Sequence, residues 1–214
     1  MKTILTALVA VGALAAPATA AATVTATGSI GPKQAVQDAA HVEFQLPDGY
    51  GQLVGAMAGT PSIGTYRREL ASCNVDLGVG AQLTANRPVK SGKRLRIVAR
   101  GVKRPAGAFD LKLRRTVRAG GATFYLGAPV TKQYPDQRSP LRAVAVMRAP
   151  SSLAQGARKW LVVTASATLW QCTAEQEREV VGGTLPADLL RAVRTAKVAS
   201  GKAQPPAGLK RVVA

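Results

Sequence analysis

The chain holds two cysteines, Cys73 and Cys172, and each stands in a stretch whose apolar residues recur at every second position. From Cys73 onward, Cys73, Val75, Leu77 and Val79 fall on one side of an extended chain. Ser72, Asn74, Asp76 and Gly78 fall on the other. A side-chain period of two belongs to a strand and puts Cys73 on its buried side. Cys172 closes the longest apolar run, which starts at Trp160. There Leu161, Val163, Ala165, Ala167 and Leu169 alternate with Trp160, Val162, Thr164, Ser166, Thr168 and Trp170. Both sides are mostly apolar or small, which is the pattern of a central strand. A disulfide between Cys73 and Cys172 is therefore expected to pin one central strand to another across the core. Closing a loop of about 100 residues is worth roughly 4–5 kcal/mol on the chain-entropy account.

Other segments repeat the strand signal. Val42, Phe44 and Leu46 alternate with Glu43 and Gln45, and Pro47-Asp48-Gly49 makes a turn. Thr23–Thr27, Gln52–Met57, Arg94–Arg100, Phe109–Val117, Thr123–Leu126 and Leu141–Arg148 read as further short strands, and Pro61–Arg68 as loop. Gly120-Gly121 permits positive φ, so a hairpin fits between residues 117 and 123. Near the end, Leu189, Leu190, Val193 and Ala196 form one helical stripe with Pro186 in the first turn. The expectation is an all-β, sandwich-like domain of roughly eight strands with one short C-terminal α-helix. A small β-barrel with a helical plug is the runner-up. Residues 21–200 form this single domain. Residues 201–214, with Gln204-Pro205-Pro206 and few apolar anchors, are expected as a mobile tail.

Residues 1–20 read as a signal peptide. Lys2 precedes an apolar run from Thr3 to Ala16, Pro17 breaks it, and Ala18-Thr19-Ala20 supplies small residues for cleavage after Ala20, with Ala22 as a near alternative. The run stops short of the ~20 residues that a spanning helix needs. No Cys follows it to carry a lipid, and no second spanning segment follows in the mature chain. Export to an extracellular, cell-surface or periplasmic setting suits a lone pair of thiols, because disulfides persist there.

Charge narrows the function classes. Lys and Arg number 29 against 11 acids, for a net charge of +18. Such an excess attracts polyanions at low salt. It concentrates between Arg87 and Arg118, where Asp110 is the one acid. Arg94, Arg96 and Arg100 alternate with Leu95, Ile97 and Ala99, and Lys112 and Arg114 oppose Leu111 and Leu113. Lys103, Arg104 and Arg118 complete the expected polyanion-binding set. Phe109 is the one aromatic in the segment, and alternation buries it, so contact with a polymer backbone is favoured over base stacking and sequence-specific nucleic-acid reading.

Catalytic readings carry less. His41 is the one histidine, which precludes a histidine-based metal site, and no cofactor is expected. A serine hydrolase would pair it with Ser62. Gly59-Thr60-Pro61-Ser62-Ile63-Gly64 departs from the nucleophile elbow, which needs Gly at position 60. Glu175, Glu177 and Glu179 would share one side of a strand and so cannot face each other across a cleft. Trp160 and Trp170 read as core packing beside the disulfide. The expected function is an exported, non-catalytic module that binds an anionic polymer or surface through the basic strands. A structural or protein-interaction domain with incidental charge is the alternative. Protein recovered from outside its producing cell is expected to begin at Ala21 by N-terminal mass spectrometry, and an intact Met1 would contradict the reading.

Overall fold

The structure is a computed structural model that describes residues 25–31, 40–55, 64–96, 111–119, 122–130, 137–154, 156 and 158–213. The signal-like segment of residues 1–20 lies outside them.

Two long strands form its spine. β5 (Cys73–Thr84) and β12 (Trp160–Trp170) pair antiparallel without interruption, from Thr84 opposite Trp160 to Asn74 opposite Trp170. The Cys73–Cys172 disulfide closes the end of this ladder, with its Cα atoms 4.6 Å apart. The expected pairing of the two cysteines is present, but the geometry differs from expectation. The bridge joins neighbours within one sheet and does not cross the core. Gln171, at a φ of 56°, ends β12, so Cys172 lies just beyond the strand.

The other edge of β5 is divided. Its first half pairs antiparallel with β4 (Thr65–Leu70), and Ala81 and Gln82 pair parallel with the end of β1 (Thr25–Gly31). The sheet forks at this point. One branch continues from β4 to β3 (Gln52–Gly55) and β14 (Lys210–Val213). The other continues from β1 to β2 (Ala40–Gln45) and β13 (Lys197–Ser200). Gly28 lets β1 pass close over β5, because a Cβ there would run into the Val79 carbonyl. Beyond β12 the order is β11 (Arg142–Arg148), β9 (Ala122–Pro129), β8 (Leu111–Ala119), β7 (Arg94–Arg96) and β6 (Val89–Ser91). The two-residue β10 (Gln137–Arg138) borders the end of β12.

Both faces of the spine are covered. Leu161, Val163, Ala165, Ala167 and Leu169 enter the main core with Val75, Leu77, Val42 and Phe44. On the reverse face, Val162, Val144, Val146 and Tyr125 pack beneath Leu95 and Leu111 in a second, smaller core. Of the Trp160–Trp170 run, the side of Leu161 to Leu169 is buried throughout, whereas on the other side Val162 is buried and its neighbours are half-buried. Each fully buried Leu or Val contributes roughly 1.5–3 kcal/mol. The result is mostly β, not closed into a barrel, and fits a sandwich-like fold with a C-terminal helix. The barrel runner-up is therefore set aside.

Two helices follow β12 where one was expected. α1 (Ala174–Gly182) starts with a capping box: Thr173 accepts from the Gln176 amide, and the Gln176 side chain accepts from the Thr173 amide. The glutamates read as strand residues lie on this helix, and Glu175 and Glu177 suit the positive end of its dipole. α2 (Leu185–Thr195) is the expected helix, with Pro186 in its first turn. It buries Leu185, Leu189, Leu190, Ala192 and Val193 against β2, β11 and β12. Residues 201–213, expected as a tail, are instead bound into the fold. Ala203 is buried, and β14 pairs parallel with β3. A short Val212-Val213 pair beside basic residues gave too little alternation to reveal that strand.

Residues 65–68, expected as loop, belong to β4, whose charges masked its periodicity. Arg67 lies directly opposite Asp76 on β5 and donates two hydrogen bonds to its carboxylate, at 2.7 and 2.9 Å. The Asp76 side chain is only 5 % exposed and that of Arg67 12 %. The paired carboxylate holds the Arg67 guanidinium above its ordinary pKa. Breaking such a pair from one side strands a buried charge. Asp76→Ala is expected to cost about 3–5 kcal/mol in urea unfolding, and the double change Arg67→Met/Asp76→Leu to recover most of it.

Candidate functional site

The basic strands β6, β7 and β8 form the far end of the sheet. Leu95 and Leu111 are opposite each other and fully buried, which anchors this end to the second core. Arg94 and Lys112 are the next opposed pair and share the other side, with Lys112 exposed and Arg94 half-buried. Arg96 stands opposite Val89 on the β6–β7 ladder. Arg100, Lys103 and Arg104 lie outside the described residues, as does Ser62.

The rest of the expected set is divided by a β-bulge. The β8–β9 register shifts between Leu113 and Arg115. Leu113 is opposite Gly127, whereas Arg115 is opposite Leu126, so Arg114 is the extra residue. Beyond it the alternation inverts. Arg115 joins the side of Lys112, opposite the main-core residue Leu126. Arg118, opposite Thr123, moves to the side of Tyr125 and the second core. Lys112, Arg114 and Arg118 therefore do not form one flat row. Lys112 and Arg115 share one side, Arg114 occupies the bulge, and Arg118 is on the other. Gly127 permits this geometry, because a Cβ there would run into the Lys112 carbonyl. An unbroken Leu-Lys-Leu-Arg pattern carries no bulge signal of its own; Gly127, across the hairpin, is its trace in the sequence.

Charge is segregated along the sheet. Among the described residues, the stretch from Leu77 to Ala174 contains no acid. The acids sit on or beside β2, β4, the start of β5, α1 and α2. Five of these eight acids pair there with Arg67, Arg68, Arg138, Arg191 and Lys197. Lys90, Lys93, Lys112, Arg114, Arg115 and Arg118 are exposed at the opposite end, with no carboxylate partner among the described residues. Trp160 also lies toward that end, half-buried against the second core, with the Arg87 and Arg148 guanidiniums over its ring at 5.0 and 4.5 Å. The indole is thus engaged by the protein's own cations. Sequence spacing concealed this cluster because Arg87, Arg148 and Trp160 come from three separate segments.

His41 has a structural setting. It is buried, Nδ1 donates to the Gly201 carbonyl at 2.8 Å, and Nε2 lies 3.5 Å from Glu43. A hydrogen bond from Lys197, reinforced by His41, keeps the Glu43 carboxyl below its ordinary pKa. Arg68 ties α2 to β4, reaching Thr184 at 3.0 Å and Asp188 at 3.2 Å while lying over the Tyr50 ring. Burial raises the pKa of both Tyr50 and Asp188. Among the described residues no three His, Cys, Asp or Glu side chains gather as metal ligands, and no helix is long and apolar enough to cross a membrane. No protein-family model, curated protein or solved structure matches this chain.

The His41 contact fastens the segment after β13 to β2. His41→Ala is expected to cost about 1 kcal/mol and to speed amide exchange in β13 ahead of the rest of the sheet. Uniform acceleration throughout the molecule would contradict a local fastening.

Proposed function

We propose that this protein is an exported, non-catalytic module that binds anionic surface polymers through the basic end formed by β6, β7 and β8. Wall polymers, anionic lipid headgroups, extracellular DNA and acidic polysaccharide share the required chemistry. The observation that carries the reading is the segregation of charge. The described acids all lie in the other half of the fold, five of the eight paired with bases, whereas Lys112, Arg114, Arg115 and Arg118 face solvent at an end where no acid is described. Unpaired cations on one end concentrate the field that a polyanion meets. The bulge spreads these cations over two sides of β8, which suits a flexible chain wrapping an edge better than a flat surface. Export is supported by the disulfide and by the signal-like N-terminus.

The test separates location from net charge. One variant carries Lys112→Ser, Arg114→Ser and Arg115→Ser. A control carries Arg178→Ser, Lys210→Ser and Arg211→Ser, exposed bases of the other half. Binding to duplex DNA, as a convenient polyanion, is measured across a salt series. The first variant is expected to bind more weakly, with the salt slope reduced by about 0.9 for each phosphate that it no longer neutralises. The control is expected to behave nearly as the parent. Equal weakening in both would show that net charge alone attracts the polymer.

A further inference from the structure

Trp160 meets bases from both of its flanking strands. Arg148 stands directly opposite it on β11, and Thr84 stands opposite it on β5, three residues before Arg87. The Arg148 and Arg87 guanidiniums lie over the indole, 4.5 and 5.0 Å from its centre. This cluster is on the reverse face of the sheet, the side of Val146 and Val162. One row further along that face, Val162, Val146, Thr123 and Arg118 stand opposite one another in turn on β12, β11, β9 and β8. Arg118 therefore shares the face, two strand spacings from β11, or roughly 10 Å across the sheet. Arg118, Arg148 and Arg87 thus form a row across the strands. All three are exposed, and none has a carboxylate partner among the described residues.

A guanidinium held over an indole keeps N–H groups at the rim, where they donate to two oxygens of one phosphate. Stacking also fixes the head before a ligand arrives, which lowers the ordering cost of binding. The same stacking occupies the indole. Tyr125, the other aromatic described on this face, is buried, so no base finds a platform here.

Shape separates the candidate polymers. Lys112 and Arg115 lie on the opposite side of β8 from Arg118. The β7–β8 pairing covers Leu111 and Lys112, and no described strand borders the outer edge of β8 beyond them. A ligand that engages both sides must turn around this edge. A phosphodiester backbone has several single bonds between successive charges and makes that turn. A duplex, a bilayer surface or a stiff chain of sugar rings touches one side alone.

Resting on the reading of this end as a polyanion site, we infer that its ligand is a flexible polyphosphodiester recognised through the backbone alone. The Arg118–Arg148–Arg87 row is its main contact, and Trp160 is the positioning residue that holds two of the three heads.

A fluorescein-labelled abasic oligonucleotide, a phosphodiester chain without bases, is the probe. Anisotropy is read across a salt series on the oxidised, full-length mature chain. Oligothymidylate of the same length is expected to bind within about twofold of it. Polygalacturonate of matched charge is expected to bind at least roughly tenfold more weakly. Arg87→Ser/Arg148→Ser is expected to lose at least roughly tenfold, with the salt slope reduced by about 0.7 for each phosphate no longer neutralised. Trp160→Leu is expected to lose about threefold with the slope unchanged, since both charges remain, and Trp160→Phe to restore most of the loss. Should Trp160→Leu unfold, the exposed arginines carry the test. Oligothymidylate binding tenfold tighter than the abasic chain, polygalacturonate binding equally well, or unchanged affinity in the arginine variant would each overturn this inference and leave the basic end a polyanion site. Binding of duplex DNA without binding of the abasic chain would do the same. Binding of neither would overturn both readings.

Discussion

The antiparallel ladder between β5 and β12 is the constraint on which the rest of the structure depends. It joins residues far apart in the chain, and it carries the inner face of the main core through Val75, Leu77, Leu161 and Val163. Its reverse face carries Val162 into the second core. The disulfide fastens one end of it, and the Arg67–Asp76 pair fastens β4 to the same end. A chain with two Trp, four Tyr and three Phe has few large side chains from which to build a core. Small and β-branched residues fill the space instead, and a covalent tie limits the states that the unfolded chain can visit.

From that spine the fold divides into two ends of different character. On the β5 side the sheet forks into two branches, and these branches together with α1 and α2 hold the described acids, half of them on the helices. Burial there is joined by close ion pairs. On the β12 side the strands proceed outward to β6, where the described residues carry bases and no acids. Leu95 and Leu111 hold this outer end to the reverse face, so its cations are displayed on ordered strands. The bulge at Arg114 then decides which cation faces which way. One inserted residue moves Arg115 and Arg118 to opposite sides from those that simple alternation gives.

Much of the β architecture was legible because burial imposes period two. The faces of Cys73–Val79 and Trp160–Leu169 and the Val42-Phe44-Leu46 face follow from it, while Gly120-Gly121 signalled the hairpin that joins β8 to β9. What was concealed has specific causes. β4 places Arg67, Arg68 and Glu69 where apolar residues were sought, because long-range partners such as Asp76 and Asp188 satisfy the two arginines. α1 hides among glutamates at strand spacing, although Thr173 and Gln176 form the capping box that announces it. For the basic site, residue types and the strands β7 and β8 were readable, whereas the short β6 was not. The division of its cations was not, since a bulge depends on the partner strand.

Amide hydrogen exchange, compared between the oxidised and reduced protein, tests the spine most directly. The slowest amides are predicted to be those of Val75–Leu83 and Leu161–Leu169. Reduction is predicted to hasten exchange in this set together, as one cooperative unit. Rates there that match those of β6 and β7, or that do not respond to breaking the Cys73–Cys172 bond, would contradict the account.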